Sequence, residues 1–248
     1  MSARRTISAI ITHQGPAAVA KMIRWWESEM PDCDTLVVYG GREPEFARLE
    51  MVDKVFVSGE GHRTKDHQRE RQSYAGALTA VAEWLTDRDY QCVNLLEFVV
   101  VPLTPTWVSE LEEGAVGEGA GLLCHHLKRV DGTFHPHFLN HSRDPEFAEY
   151  WRSQKVRPDP EPVFSMIGCH SFWRRDAFEA VAARPEPVPI YLELYLPTLA
   201  HHLGVRVREA TADANHMRPE PVFGDKEIAA ARAGGATAVH PVKNLWDE

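Results

Sequence analysis

The sequence predicts an α/β protein: a mostly parallel, Rossmann-like central sheet flanked by helices on both faces. Three observations carry that expectation. Strand and helix signals alternate along the first hundred residues. The strand segments are near-continuous apolar runs, as strands covered on both faces require. The helical segments are long enough, and apolar enough along one face, to cross back over such a sheet.

The elements follow in order. "TISAIIT" (6–12) is β-branched and apolar, a buried first strand. Pro16 then suits the first turn of a helix over "AAVAKMIRWWESEM" (17–30). "TLVVY" (35–39) is a second strand, closed by Gly40 and Gly41, and "KVFV" (54–57) a short third. In "HQRERQSYAGALTAVAEWLT" (67–86), Tyr74, Leu78, Val81 and Leu85 recur at steps of three and four, one apolar helix face. "QCVNLLEFVVV" (91–101) reads as the most hydrophobic strand. "TPTWVSELEEGA" reads as helix and "AGLLCHHLKRV" (120–130) as strand. The stretch 131–165 is irregular, with a short helix at "DPEFAEYWRSQ". "FSMIGCHSFWRRDAFEAVAA" runs from strand or loop into helix. "IYLELYLPTLAHHLG" (190–204) reads as helix despite Pro197, "VRVREA" as strand, and "HPVKNLWDE" as a polar tail.

Bulk properties narrow the function. The chain has 248 residues, 44% hydrophobic and 25% charged, enough for one large domain or one domain with an appended subdomain. A formal net charge of −9 argues against general binding to DNA or RNA; a small anionic ligand would need a local basic pocket or a bound cation. The four cysteines are far apart, without C-x-x-C, so zinc-ribbon and thioredoxin readings lack support; Cys92 and Cys124 read as reduced core thiols. No signal-peptide core and no apolar run near ~18 residues is present, so a cytoplasmic protein without a transmembrane segment is expected.

Ligands of open α/β sheets bind beyond the carboxyl ends of the strands. That rule selects Thr12, His13 and Gln14, then Tyr39, Gly40 and Gly41, then the region of Glu97, a carboxylate ending an apolar run. G-x-G-x-x-G after the first strand, the P-loop pattern and G-x-S-x-G are all missing, which removes the main support for dinucleotide, P-loop and esterase chemistry. "GHRTKDHQRER" (61–71) gathers Arg63, Lys65, Arg69 and Arg71 near a helix start, either an anion site or a solvated first turn paired with Asp66 and Glu70. His125 and His126 precede "HPHFLNH", with His135, His137 and His141. On a strand, His135 and His137 would share a face and could chelate a divalent ion; surface histidines are the plain alternative.

The order "IITHQG", "VVYGG", "RQSYAGALTAVAEWL" and "CVNLLEFVVVP" resembles a GT-A-type glycosyltransferase, the nucleotide-diphospho-sugar transferase fold, over roughly residues 6–127 and more loosely beyond. The resemblance implies a single GT-A-like unit over 1–248, with 1–127 as nucleotide-binding half and 128–248 as acceptor-side half. It implies a nucleotide-sugar donor held by Thr12, His13, Tyr39, Gly40 and Arg71, and a glycan or other hydroxyl acceptor. A D-x-D-like motif would bind Mn²⁺ or Mg²⁺, with Glu97 and His240 as metal ligands. His216 competes for the role of His240, and Lys243 would face the phosphates. In this chain Val99 stands where the second carboxylate of the motif would be. Glu193, in "YLELYLPTL", would be the general base on the acceptor hydroxyl. Two alternatives remain: a GT-A-fold protein that binds a nucleotide or sugar without turnover, and a metal hydrolase using His125, His135 and His137.

Overall fold

The computed structural model describes residues 6–51, 53–58, 73–154, 162–184, 190–211, 213–243, 245 and 246. The chain begins with β1 (Thr6–Thr12), α1 (Pro16–Glu29), β2 (Asp34–Tyr39), α2 (Glu43–Phe46) and β3 (Lys54–Phe56). It continues with α3 (Ser73–Leu85), β4 (Cys92–Glu97), β5 (Val101–Pro102), α4 (Trp107–Gly117), β6 (Leu122–Cys124) and β7 (Lys128–Arg129). Next come α5 (Pro136–His141), α6 (Pro145–Gln154), β8 (Phe164–Ser165), β9 (His170–Arg174) and α7 (Arg175–Ala182). The remaining elements are α8 (Leu192–His202), β10 (Val207–Glu209), α9 (Asp225–Ala233) and β11 (Ala238–Val239).

Seven strands form one sheet in the order β10-β6-β9-β4-β1-β2-β3. All neighbours run parallel except β9, which is antiparallel to both β4 and β6. The predicted mostly parallel sheet with helices on both faces is therefore what the chain forms. Alternation along β1 explains the layers: Ile7, Ala9 and Ile11 pack against α3, α7 and α8, whereas Ile10 packs against α1, α4 and α9. A strand inserted between two helical layers exposes neither face, hence the absence of polar alternation in the sequence.

Three segments differ from the sequence reading, each for a local reason. The apolar run 91–101 is not one strand. β4 stops at Glu97, whose N–H bonds the Cys169 carbonyl (2.9 Å), and the Val100 N–H returns to the Glu97 carbonyl (3.0 Å), closing a turn. β5 then leaves the main sheet to pair antiparallel with β11. The run 120–130 is likewise split, because His126 adopts the left-handed conformation (φ 57°) and the Glu209 carboxylate takes the His126 and Leu127 N–H groups. His135 and His137 lie at the start of α5 rather than on a strand, so period-two geometry does not apply to them.

The tail is less polar than its composition suggests. Val242 and Trp246 are buried, and the Trp246 indole N–H donates to the Phe98 carbonyl (2.8 Å) while the Val242 N–H donates to that of Val99 (2.9 Å). Both carbonyls belong to the turn after β4, so the C-terminal segment braces the strand end that carries Glu97. Among the described residues no helix is long and apolar enough to cross a membrane.

Candidate active site

The carboxyl ends of β1, β2 and β4 lie side by side. The Gly40 N–H donates to the Thr12 carbonyl (2.9 Å) and the Phe98 N–H to that of Ile11 (3.0 Å), which ties the three exits together. His13 meets Phe98 edge-on, with ring centroids 5.4 Å apart. Tyr39 is fully buried, stacks on Phe46 and donates to Glu45 Oε2 (3.0 Å). Gly41 lies so close to that ring that a Cβ there would sit 2.4 Å from it. Tyr39 thus forms the wall beneath this edge, while His13 and Gln14 are only partly covered. Arg71, with Arg63, Lys65 and Arg69, lies outside the described residues.

Glu97 is half-buried at the end of β4 and accepts the Tyr74 hydroxyl at 2.5 Å. Burial, then Glu97 itself, pushes the Tyr74 phenol well up, so it stays a donor. Glu193 stands in the first turn of α8, where its Oε1 accepts the Gly168 N–H (3.0 Å) and its Oε2 faces His137 Nε2 (3.1 Å). Two consecutive residues join the carboxylates: Cys169 holds the Glu97 backbone and Gly168 holds the Glu193 side chain. The fit at Gly168 is close, since a Cβ would come 2.5 Å from Leu192 Cδ1 and 3.1 Å from Glu193 Cγ. Cys169 is no nucleophile here. Burial, then Glu97 and Glu193, pushes its thiol well above the usual range, which keeps it protonated and inert.

Beneath this edge lies a set of buried imidazoles. The His125 and His170 rings are 5.2 Å apart, and His170 also packs on Trp107 (5.1 Å). Asn94 Oδ1 contacts His170 Nε2 at 2.7 Å while its amide donates to Ser8 Oγ at 3.1 Å, an arrangement that puts the His170 proton on Nε2. Neither ring nitrogen of His125 reaches a partner in hydrogen-bonding geometry among the described residues; the Ala210 backbone is near and only slightly favours its charged form. His240 Nδ1 meets the Arg218 carbonyl (2.8 Å). Burial, followed by His126 for His125, pulls the pKa values of His125 and His240 down from 6.5 to about 4. His170 is lowered too, by burial and then by His125. These rings are neutral packing groups at neutral pH.

The structure therefore gathers Glu97, Glu193 and His137 around Gly168 and Cys169, with His240 just behind. It does not gather a metal site from the described residues: no three His, Cys, Asp or Glu side chains converge where an ion could sit. Val99 is buried and its carbonyl is taken by Val242, Glu97 is engaged by Tyr74, and His240 is turned to Arg218. That set does not fit a divalent cation. His125, in the core, is likewise apart from His135 and His137 on α5, and His216 faces Asp213 at 3.9 Å. Sequence reasoning passed over Tyr74, Gly168, Cys169 and the Asn94–His170 pair. Asn94 carried a signal, since a buried amide in an apolar strand demands a partner.

No family model matches the sequence, and no curated protein does. Solved structures do match in shape. A mannosyltransferase from Pyrobaculum calidifontis in complex with GDP-Man and Mn²⁺ aligns with TM-score 0.50 at 12% identity, covering 84% of this chain and 55% of that one. A CMP:2-keto-3-deoxy-manno-octonic acid synthetase complexed with CTP aligns at 0.45 and 12% identity, over 83% of this chain and 90% of the other. Mouse xyloside xylosyltransferase 1 aligns at 0.46 and 10% identity, over 98% of both chains. At such identities a likeness shows fold alone, and the mannosyltransferase match carries it. Together with the seven-stranded, mostly parallel sheet, that match gives the chain a GT-A-like α/β fold.

Proposed function

We propose that this protein transfers a sugar from a nucleotide-diphosphate donor to an acceptor hydroxyl. The observation that carries the reading is the convergence of Glu97 and Glu193 on Gly168 and Cys169, at the strand ends where α/β sheets bind ligands. The donor lies over the exits of β1 and β2, near Thr12, His13 and Gly40, with Tyr39 as the wall beneath. Residues 1–127 supply this half of the site and 128–248 the acceptor side. Glu193 is the general base. The acceptor oxygen forms a bond to the anomeric carbon as its proton passes to a Glu193 oxygen, and the bond to the nucleoside diphosphate breaks with both electrons leaving on the diphosphate.

Arg71 and its cationic neighbours are the groups offered for the departing charge, a task positive side chains perform electrostatically. No step is assigned to a metal, because Val99 and the engaged Glu97 leave no room in this reading for the cation that Glu97 and His240 would otherwise hold. Binding of a nucleotide or sugar without turnover is the second reading, favoured by that same Val99. A thermal-shift panel of UDP, GDP and their sugars, with and without Mn²⁺, tests both. A ligand at 100-fold its Kd adds about 2.7 kcal/mol of stability. Nucleotide stabilisation together with donor hydrolysis supports transfer, and stabilisation alone supports binding without turnover. Glu193→Gln should abolish transfer by about 100-fold or more while leaving nucleotide stabilisation intact. Unchanged turnover in that variant refutes the base assignment.

A further inference from the structure

A pocket of about 350 Å³ opens beside Glu193, and among the described residues Lys128, His126, His135 and His137 line it with that carboxylate. Five of its residues form a row. Lys128 and Ser165 face each other across the β7–β8 ladder, so their side chains leave on the same side. Ser165 Oγ lies 3.3 Å from His135 Nε2, the His135 and His137 rings are 5.6 Å apart, and His137 reaches Glu193 at 3.1 Å. The row thus runs from an ammonium at one end to a carboxylate at the other. Thr198 fixes it from behind, since its hydroxyl both accepts the Phe164 N–H (2.9 Å) and donates to the Phe164 carbonyl (3.1 Å). That pair of bonds pins the ribbon to α8, the helix that carries Glu193.

The charges along the row are unequally matched. Among the described residues Glu193 is the single carboxylate of the lining, and Gly168 and His137 each contact one of its oxygens. Arg129, next along β7, is held by both oxygens of Asp131. Lys128 has no carboxylate partner among the described residues, although it is exposed and lines the pocket. A cation with no carboxylate partner among the described residues, lining the same cavity as the base, is complementary to a ligand that carries both an anion and a hydroxyl. The cavity is at the small end of the range for organic ligands, ~300–1,000 Å³, which suits a single sugar ring rather than an extended glycan.

We propose that this pocket is an acceptor subsite for a monosaccharide-sized hydroxyl compound bearing a carboxylate or a phosphate monoester, with Lys128 pairing the anion and Glu193 receiving the hydroxyl. Ser165 and His135 serve the middle of the ligand as neutral hydrogen-bonding groups; burial, then His137, holds the His135 imidazole below its usual pKa. The subsite rests on the reading of Glu193 as the base, but the recognition it predicts is measurable without a donor or turnover.

Isothermal titration of the full chain with glucose, glucuronate and glucose 6-phosphate, in about 0.15 M salt, tests it. At least one of the two acids should bind about tenfold more tightly than glucose. Glucuronate ahead of glucose 6-phosphate identifies a carboxylate site, and the reverse a phosphate site. Lys128→Ala should abolish the preference, Lys128→Arg should keep it, and Arg129→Ala should leave it unchanged. Equal binding of acid and neutral sugar, no saturable binding of either acid, or a preference that survives Lys128→Ala overturns the proposal. Nucleotide stabilisation and donor hydrolysis on the same samples report separately on the transferase reading, so failure of one is distinguishable from failure of the other.

Discussion

Acidification should weaken this protein well above the pH at which carboxylates titrate. His125 and His240 have folded-state pKa values of about 4 against 6.5 when free. Between those values the unfolded chain binds more protons than the folded one, so stability is fully present above 6.5 and falls as pH drops toward 4. Linkage gives a loss of about 1 kcal/mol per ring between about pH 7.5 and pH 5.5, and about 3 kcal/mol per ring at the acid limit. His170 acts in the same direction, and each proton added to this group meets neighbouring groups that disfavour it: His126 and His240 beside His125, and Lys243 beside His240. The Arg218 backbone, then Glu193, oppose the shift at His240. Two rings therefore remove roughly 2–3 kcal/mol over that interval, a shift of about 1 M in the urea midpoint for a chain of this size. Urea unfolding at four pH values measures it, and His125→Gln should reduce the slope by about half. A midpoint that stays level over the interval, or a slope unaltered in the variant, would refute the assignment of these rings as neutral buried groups.

Two further outcomes concern the carboxylate edge. Val99→Asp places an unpaired carboxylate at a position 8% exposed, so it should cost about 3 kcal/mol or more without conferring Mn²⁺-dependent nucleotide binding; a gain of metal-dependent affinity would reinstate the two-carboxylate motif. Gly168→Ala drives a Cβ to 2.5 Å from Leu192 and 3.1 Å from Glu193, costing about 1–3 kcal/mol. It should lower turnover with nucleotide stabilisation retained, and unaltered kinetics would show that Glu193 does not depend on the 168–169 corner.

The fold was readable because burial leaves a composition. β1 is buried along its whole length and β2 from Leu36 to Tyr39, since both of their faces are covered there, and a run like "TISAIIT" has few other uses. Glu97 was readable for the same reason: a charge at the end of such a run must face an edge. The turn after it was not, because Val99 to Val101 are as apolar in a turn braced by Val242 and Trp246 as they would be in a strand. The tail reads as polar on composition, although Val242 and Trp246 are enough to anchor it in the core. Tyr74 counted as one more apolar position on a helix face, and nothing local reveals that its hydroxyl crosses to a carboxylate 23 positions away. Lys128 was hidden in a longer presumed strand, since the break at His126 depends on Glu209, which arrives from a distant strand.

The bracing of Phe98 by Trp246 has a consequence in time. The two residues are 148 positions apart, and the contact closes one of the longest loops in the fold. Long loops close late, because their entropy must be overcome before the contact returns anything. During synthesis, β1 to β4 can pair long before β11 exists, so this part of the sheet precedes the support of the Glu97 corner. Glu97 is delivered early to an edge that remains unfinished, and the corner sets only when the residues around Trp246 arrive.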